Sequence, residues 1–398
     1  MQLIINREKK DGDANSIELR TSNSRILLSL DMSFIPDRAK GVDAILISHL
    51  LPNHYTCLKH IDQDTSIYMS RAANELVNIF DIFISNGNLK RNISAIKHMR
   101  PFQIVDFKIT PYLINDSALS AIAFSIKADG KSALYINNLT DNNKNSILIE
   151  KILKDHPQGL DCLLTDNLET KTEDCAQNSK RPLRVYIENI LRTNKNITFL
   201  FTPSEDIDGL VSAYGACLKT GSILVIDIYA AFLLDKLRKV SRAIPQLDWK
   251  NTKIRFIKDQ ADLLANAGYN ALLYAYNKHK IDLFDINRYK TNILMTVRDN
   301  PEFTGTIKDI DRVTGARLIS TSQKDRLSEK LKGYCAQKGI EIEYIHANIH
   351  KEAEALKAIV NALSPKTIIP IETSPAVKYS VLFSNIRIID NKKVIDIR

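Results

Sequence analysis

Apolar and polar positions alternate over the first fifty residues in the manner of short strands: Gln2 to Asn6, Ser16 to Arg20, Arg25 to Leu30, and the buried run Ala44 to Ser48. Helical spacing follows at Ser70 to Ile84, where a serine opens the segment and Ala73, Leu76, Ile79 and Phe80 fall on one face. Strand patterns return at Phe102 to Pro111, Ala121 to Ala128 and Ser132 to Ile136, with Asp129-Gly130 as a tight-turn signal between the last two. A helix at Asn145 to Asp155 and an apolar strand at Leu160 to Thr165 come next. The stretch Asp166 to Arg181 is polar and without period, which predicts a loop leading out of a first domain.

From Leu183 onward strand and helix alternate regularly, the pattern of a parallel sheet with helices packed on it. Helix Val185 to Thr193, strand Ile197 to Thr202, helix Ile207 to Leu218, strand Ser222 to Asp227 and helix Ala230 to Val240 form the first set. Lys253 to Ile257, Gln260 to Ala267, Thr291 to Thr296 and Leu318 to Thr321 form the second. The chain then predicts helix Asp325 to Lys338, strand Glu341 to Ile345, helix Lys351 to Leu363, and strands Thr367 to Ile371, Ile386 to Ile389 and Lys393 to Ile397. No short repeat or low-complexity tract interrupts this order.

The 398 residues, 44% hydrophobic and 25% charged, suffice for two cores and exclude a disordered tail or a disulfide scaffold. Fifty-five Lys+Arg against 46 Asp+Glu leave a net charge of +9, which permits a polyanionic partner such as RNA or single-stranded DNA. No apolar run reaches the roughly 18 residues that span a bilayer, and the N-terminus lacks the apolar core of a signal peptide, so a cytoplasmic protein without membrane contact is expected. Five scattered cysteines, never spaced as C-x-x-C, predict reduced and mostly buried thiols. His60, His98, His156 and His279 have no supporting neighbours and are expected at the surface. Trp249 stands alone in a polar stretch, and Tyr214, Tyr229 and Phe232 are expected to pack between sheet and helices.

The segment Ile47-Ser-His-Leu-Leu-Pro-Asn-His54 follows a strand and precedes a polar stretch and a helix. It resembles the H-x-H-x-D-H loop of the metallo-β-lactamase superfamily, with His49, Leu51, Asn53 and His54 at the patterned positions. In that family three imidazoles and a carboxylate at one strand end hold two divalent ions and orient a hydroxide between them. Colinear matches extend the resemblance. Ile109 to Ala118 is similar to the third motif, with Asp116 where a histidine is usual; Ala128 to Asn138 is similar to the hairpin ending in Y-T-G-D, with Asn137 for the glycine and Asn138 for the bridging aspartate. Leu160 to Thr165 is similar to a strand that ends in an acidic turn, here Asp166-Asn167-Leu168. Phe201 to Leu237 resembles the β-CASP insertion of ribonuclease J-like nucleases, Ile345 to His350 its closing I-H-T-S-G-H motif, and Ile369 to Thr373 the P-I-H-T motif with Glu372 replacing histidine. The resemblance implies an α/β fold: an αββα metallo-β-lactamase sandwich from residues 1–181 and 322–398, interrupted by a doubly wound β-CASP-like insertion at 182–321. In such relatives a cleft between the domains takes the nucleic-acid backbone.

The departures bear on chemistry. Ser29-Leu30-Asp31 stands where the family strand ends in D-x-G. Leu51 has no lone pair, Asn53 cannot act as a base, and Asn138 offers one neutral carbonyl where a bridging carboxylate offsets the repulsion between two ions. Asp116 and Glu372 run the other way, as oxygen donors for a hard cation. His350 matches a family position that contacts substrate phosphate or leaving group. Gly209 stands for a usual arginine and Gly221-Ser222 for a usual G-R, both removing positive charge. Basic clusters remain at Lys90-Arg91, Lys97 to Arg100, Lys180-Arg181 with Arg184, Lys236 to Arg242 and Lys278 to Lys280. Three readings stay open. One is a pseudoenzyme without cofactor, degenerate at Asn53, Asn138 and His350, that binds nucleic acid or regulates a protein such as an active paralogue. Another is a hydrolase with one Zn²⁺, Mn²⁺ or Mg²⁺ held by His49, His54, Asp116 and Glu372. The last is a structural or assembly protein.

Overall fold

The structure is a computed structural model that describes residues 1–7, 14–28, 39–50, 52–85, 87, 89–114, 121–136, 145–156, 159–165, 182–202, 206–239, 244–298, 305, 308–321, 327–345, 349–371 and 383–397; within these, the side chains of 7, 14, 15, 52–54, 145–147 and 349–355 are outside the description. The chain divides into two units: Met1–Phe80, Asn88–Thr170 and Asn348–Arg398 form unit 1, and Asp81–Gly87 with Lys171–Ala347 form unit 2.

Unit 1 opens with β1 (Gln2–Arg7), β2 (Ala14–Arg20), β3 (Arg25–Leu28), β4 (Ala44–Leu46), α1 (Pro52–Leu58), β5 (Ser66–Ser70), α2 (Arg71–Ser85), whose last residues are counted with unit 2, and β6 (Ile93–Ile96). β7 (Phe102–Ile104), β8 (Phe107–Leu113), β9 (Ile122–Ala128), β10 (Lys131–Ile136), α3 (Asn145–Asp155) and β11 (Cys162–Thr165) follow. In unit 2 come α4 (Leu183–Thr193), β12 (Thr198–Phe201), α5 (Ile207–Thr220), β13 (Ile223–Asp227), α6 (Ile228–Leu237), β14 (Thr252–Arg255), α7 (Lys258–Asn266), α8 (Asn270–Asn277), α9 (Leu283–Tyr289), β15 (Ile293–Val297), β16 (Arg317–Ser320), α10 (Glu329–Lys338) and β17 (Glu341–Tyr344). The chain returns to unit 1 through α11 (Ile349–Leu363), β18 (Thr367–Pro370) and β19 (Val394–Asp396).

Two sheets face each other in unit 1, one ordered β19-β1-β2-β3-β4-β5-β6 and the other β18-β11-β10-β9-β8-β7. Period-two alternation sends Leu3, Ile5, Ile17, Leu19, Ile26 and Leu28 of the first sheet into one core with Phe107, Ile109, Ile122, Phe124, Ile126 and Tyr135 of the second. The intervening residues Tyr112, Ala123, Leu134 and Leu163 of the second sheet turn outward and pack against Leu148 and Ile152 of α3 and Leu356 and Ile359 of α11. On the first sheet Leu27 and Ile45 alternate with core residues and are themselves buried, while α2 buries a stripe of Ala72, Ala73, Leu76, Val77, Ile79 and Phe80. The layering helix, sheet, sheet, helix follows from strands that are apolar on both faces.

Unit 2 holds one parallel sheet ordered β14-β13-β15-β12-β16-β17. Ile197, Phe199, Val225, Met295 and Leu318 share a core with Ile286 of α9 and with Leu331 and Cys335 of α10. The alternate residues Leu200, Leu224, Ile226, Leu294 and Ile319 are also buried, and α5 and α6 contact β13, so the sheet is doubly wound.

Several expectations change. The return expected at residue 322 falls later: β17 pairs in register with β16 from Arg317↔Glu341 to Ser320↔Tyr344, so α10 and β17 complete the sheet of unit 2 and unit 1 resumes at Asn348. The helix expected from Asp325 starts at Glu329, where Ser328 caps it by accepting a hydrogen bond from the Leu331 N–H (3.2 Å); 322–326 lie outside the described residues. Within the strand expected at Ile386 to Ile389, the pairing seen among the described residues is an isolated bridge from Ile386 to Ile368. His156 is 3% exposed rather than at the surface; His98 and His279 are half-buried and His60 is exposed. Trp249 is not alone, since its ring lies 5.3 Å from that of Tyr214. Tyr229 and Phe232 are buried, in edge contacts with Phe83 and Tyr269. Cys57, Cys162, Cys217 and Cys335 are buried and outside any disulfide, and Cys175 lies outside the described residues.

Candidate functional site

The candidate site of unit 1 is an edge where strand ends converge. β4 runs out through Ile47 and Ser48 to His49. The Ile47 N–H donates to the Tyr68 carbonyl (2.9 Å), holding the exit against β5, and the Ile122 N–H donates to the Ser48 carbonyl (2.7 Å). That second bond ties the end of a strand in the first sheet to the start of β9 in the second. The same start is bonded to the end of β8, where the Ile114 N–H donates to the Ala121 carbonyl (3.2 Å). Ser48 is buried and its hydroxyl lies 3.0 Å from His49 Nδ1, so the half-buried imidazole is oriented from behind with Nε2 on the opposite side of the ring.

The second sheet adds three parallel strand ends in register. Ile136 pairs with Thr165, and Thr165 with Pro370, so β10, β11 and β18 stop level with one another. The Ile371 N–H donating to the Thr165 carbonyl (2.9 Å) extends that pairing one residue. Asn138 follows Ile136 by two residues and Glu372 follows Ile371 by one. Open α/β edges of this kind carry ligands because backbone groups and side chains leave several strands together.

Of the residues expected at the site, His49 is placed in full, while Asn53 and His54 are placed by backbone in the first turn of α1 and His350 by backbone at the start of α11. Leu51, Asp116, Asn138, Glu372 and His346 lie outside the described residues, as do the Asp31 and Asp166 to Arg181 segments. Among the described residues no group of three or more His, Cys, Asp or Glu could hold a metal ion. At the positions the sequence resemblance assigns to metal ligands, the leucine at 51 carries no donor atom and the amide at 138 carries no charge.

Sequence reasoning missed a second strand-end cluster, in unit 2. Asp227 ends β13 and caps α6, its Oδ1 accepting from the Ala230 N–H (2.8 Å). Oδ2 accepts from Arg298 Nε (2.7 Å) and Gln260 Nε2 (3.1 Å), and Gln260 Oε1 in turn accepts from the Tyr229 N–H (3.1 Å). The Arg298 guanidinium also stacks 4.2 Å from the Tyr229 ring centroid. Burial alone would raise the Asp227 carboxyl, but the Arg298 charge and the hydrogen bonds from Arg298, Ala230 and Gln260 outweigh it and hold it below the usual carboxylate range. β13 and β15 are neighbours whose continuations lead to opposite sides of the sheet order, a switch point of the doubly wound pattern. The signal available in the sequence was an aspartate between an apolar strand and a helix, Val225-Ile-Asp-Ile-Tyr.

No family model matches this sequence, and no curated protein matches it either. Among solved structures, a protein of unknown function from Enterococcus faecalis V583 is 12% identical and superposes with a TM-score of 0.74, the match covering 99% of each chain. Looser and partial likenesses reach proteins of the metallo-β-lactamase fold. Zn²⁺-bound PqqB from Methylobacterium extorquens matches 42% of this chain and 71% of its own at 16% identity and a TM-score of 0.31. YhfI from Bacillus subtilis matches 42% and 70% at 13% identity and 0.30. At so low an identity the full-length match speaks to fold alone: this chain shares its fold with the Enterococcus faecalis protein.

Proposed function

We propose that this chain is a metallo-β-lactamase-like protein with a β-CASP-like insertion whose two-ion centre has eroded, and that it works by binding single-stranded nucleic acid rather than by hydrolysis. The observation that supports this reading is a retained edge with an altered donor set. The β4 exit, the bonded ends of β8 and β9 and the level ends of β10, β11 and β18 converge as a catalytic edge needs. The sequence carries Leu51, Asn53 and Asn138 at the positions where the resemblance expects an imidazole and two carboxylates. A neutral amide neither bridges two cations nor takes a proton from water, so no hydrolytic step is assigned to these residues. The excess of 55 Lys+Arg over 46 Asp+Glu supports a polyanionic ligand held through phosphate contacts.

Metal analysis of protein purified without chelator, alongside binding of a labelled single-stranded oligonucleotide at rising salt, tests both halves. The expected result is no stoichiometric metal, no cleavage of RNA or DNA with added Zn²⁺ or Mn²⁺, and affinity that falls steeply with salt. Metal-dependent turnover abolished by His49→Ala and His54→Ala overturns the pseudoenzyme. One tightly held ion per chain, lost on Asp116→Ala or Glu372→Ala, replaces it with the single-ion hydrolase.

A further inference from the structure

Among the described residues the first sheet of unit 1 ends at β6, which pairs there with β5 alone. The Ile67 N–H donates to the Asn92 carbonyl (2.9 Å). In a parallel ladder alternate residues turn both backbone groups to the same neighbour, so Ser94 and Ile96 face β5 while Ile93 and Ala95 face away from it. The Ile93 N–H is occupied by the Arg91 carbonyl (3.1 Å). The Ile93 carbonyl and both backbone groups of Ala95 therefore point outward at the spacing an added strand uses, and Ser94 and Ala95 are exposed.

Sheet edges are normally blunted by proline, a bulge, or charge within the strand. β6 has none of these: its register with β5 runs unbroken from Ile67↔Ile93 to Ser70↔Ile96. Charge sits beyond its ends instead. Lys90 precedes it and Lys97 and Arg100 follow it, all exposed, and none of the three pairs with a carboxylate among the described residues. Arg91 is engaged otherwise, donating to the Leu58 and Lys59 carbonyls (both 2.6 Å). Along this side Tyr68 and Phe102 stack at 4.8 Å and, with Ile96, are only partly buried against the sandwich core, while Met99 is 40% exposed. The edge thus offers backbone pairing, some apolar surface, and unpaired positive charge at its ends.

We infer that β6 is a docking edge for an extended acidic peptide segment of a partner protein, which adds to the sheet beside Ile93 and Ala95 with its carboxylates toward Lys97 and Arg100. A second copy of this chain is the wrong occupant, because edge-to-edge pairing would bring the same cations together. The inference does not depend on the state of the strand-end site.

The test is fluorescence anisotropy of a labelled peptide alternating Glu and Val, titrated with the full chain. Saturable binding is expected, weakened roughly tenfold or more, about 1.4 kcal/mol, by the exposed pair of substitutions Lys97→Glu and Arg100→Glu. N-methylation of alternate peptide residues, which removes the strand-pairing N–H groups and leaves the protein untouched, is expected to weaken it at least as much. Equal binding of the methylated peptide, or of a peptide alternating Lys and Val, overturns the proposal. So does failure of the acidic peptide to bind, concentration-dependent self-association lost on the same double substitution, or an oligonucleotide that takes over Lys97 and Arg100 in preference to the peptide.

Discussion

Gly209 stands where related sequences were expected to carry arginine, and the structure supplies the reason a side chain is missing. A Cβ built there would lie 2.5 Å from Asp206 Oδ2 and 2.8 Å from Thr202 Oγ1. Neither neighbour can yield cheaply. Asp206 caps α5 by accepting from the Gly209 N–H (2.9 Å) and also accepts from the Thr202 hydroxyl (3.1 Å), which in turn accepts from Thr321 (3.0 Å). What the sequence suggested as a lost charge is thus also a packing requirement of the helix start. Gly209→Ala is expected to cost about 1–3 kcal/mol through overpacking, read as a lowered urea midpoint with unchanged slope. An unchanged midpoint would show that the cap can shift. His156 was illegible for a related reason: a histidine at the end of a helix carries no sign of burial until the hydroxyl of Ser125, 2.7 Å from its Nε2, is placed from another element.

At the scale of the element, long periodic segments were readable and short ones were not. α2 and α3 present apolar stripes over 15 and 11 residues, and the hairpin of β9 and β10 carries its own turn code, with Asp129 at φ 52 and Gly130 at φ 67 as a primed turn needs. β5 and β6 escaped because Ser66–Ser70 abuts a helix and Ile93–Ile96 has large apolar residues only at its ends, which is neither an alternation nor a run. α8 and α9 expose most of their surface, Tyr274 at 75% and Phe284 at 71%, so no stripe marks them. The start of α2 is set by Ser70, whose hydroxyl accepts from the Ala73 N–H (2.9 Å). Ser70→Ala is expected to cost about 1 kcal/mol. Faster amide exchange confined to the first turn of α2 would accompany it, and a variant as protected as the parent would deny the cap its role.

For the whole molecule, the change from alternating strands to regular strand and helix predicted the parallel sheet of unit 2, while the two-sheet sandwich of unit 1 was what the resemblance implied. Their boundary was not legible, because α10 and β17 look alike whichever unit they complete. Of the residues expected to carry the candidate site's chemistry, His49 is placed with its side chain, and Asn53, His54 and His350 are placed by backbone. Stability should respond to acid through His156. Burial, reinforced by Lys127, lowers its pKa from 6.5 to about 4 despite the opposing Asp161. The unfolded chain therefore takes up this proton first as pH falls, so the contribution is complete above 6.5 and is lost between 6.5 and about 4. About 2 to 3 kcal/mol of unfolding free energy is expected to disappear over that window. His156→Gln, which keeps a hydrogen-bonding group for Ser125, should flatten that part of the pH profile; an equally steep variant would place the proton uptake elsewhere.

Unit 1 is closed by strands that the ribosome delivers late. β18 borders β11 and β19 borders β1, with Leu3 opposite Ile395, yet all of Lys171–Ala347 must be synthesised between β11 and β18. At ordinary translation speed, about 5–20 residues per second, the nascent sandwich waits roughly 10 to 35 s with the flanks of β1 and β11 bare. During that interval the growing chain is most exposed to misassociation with its neighbours, and a holdase that shields those two flanks would gain the most from arriving then.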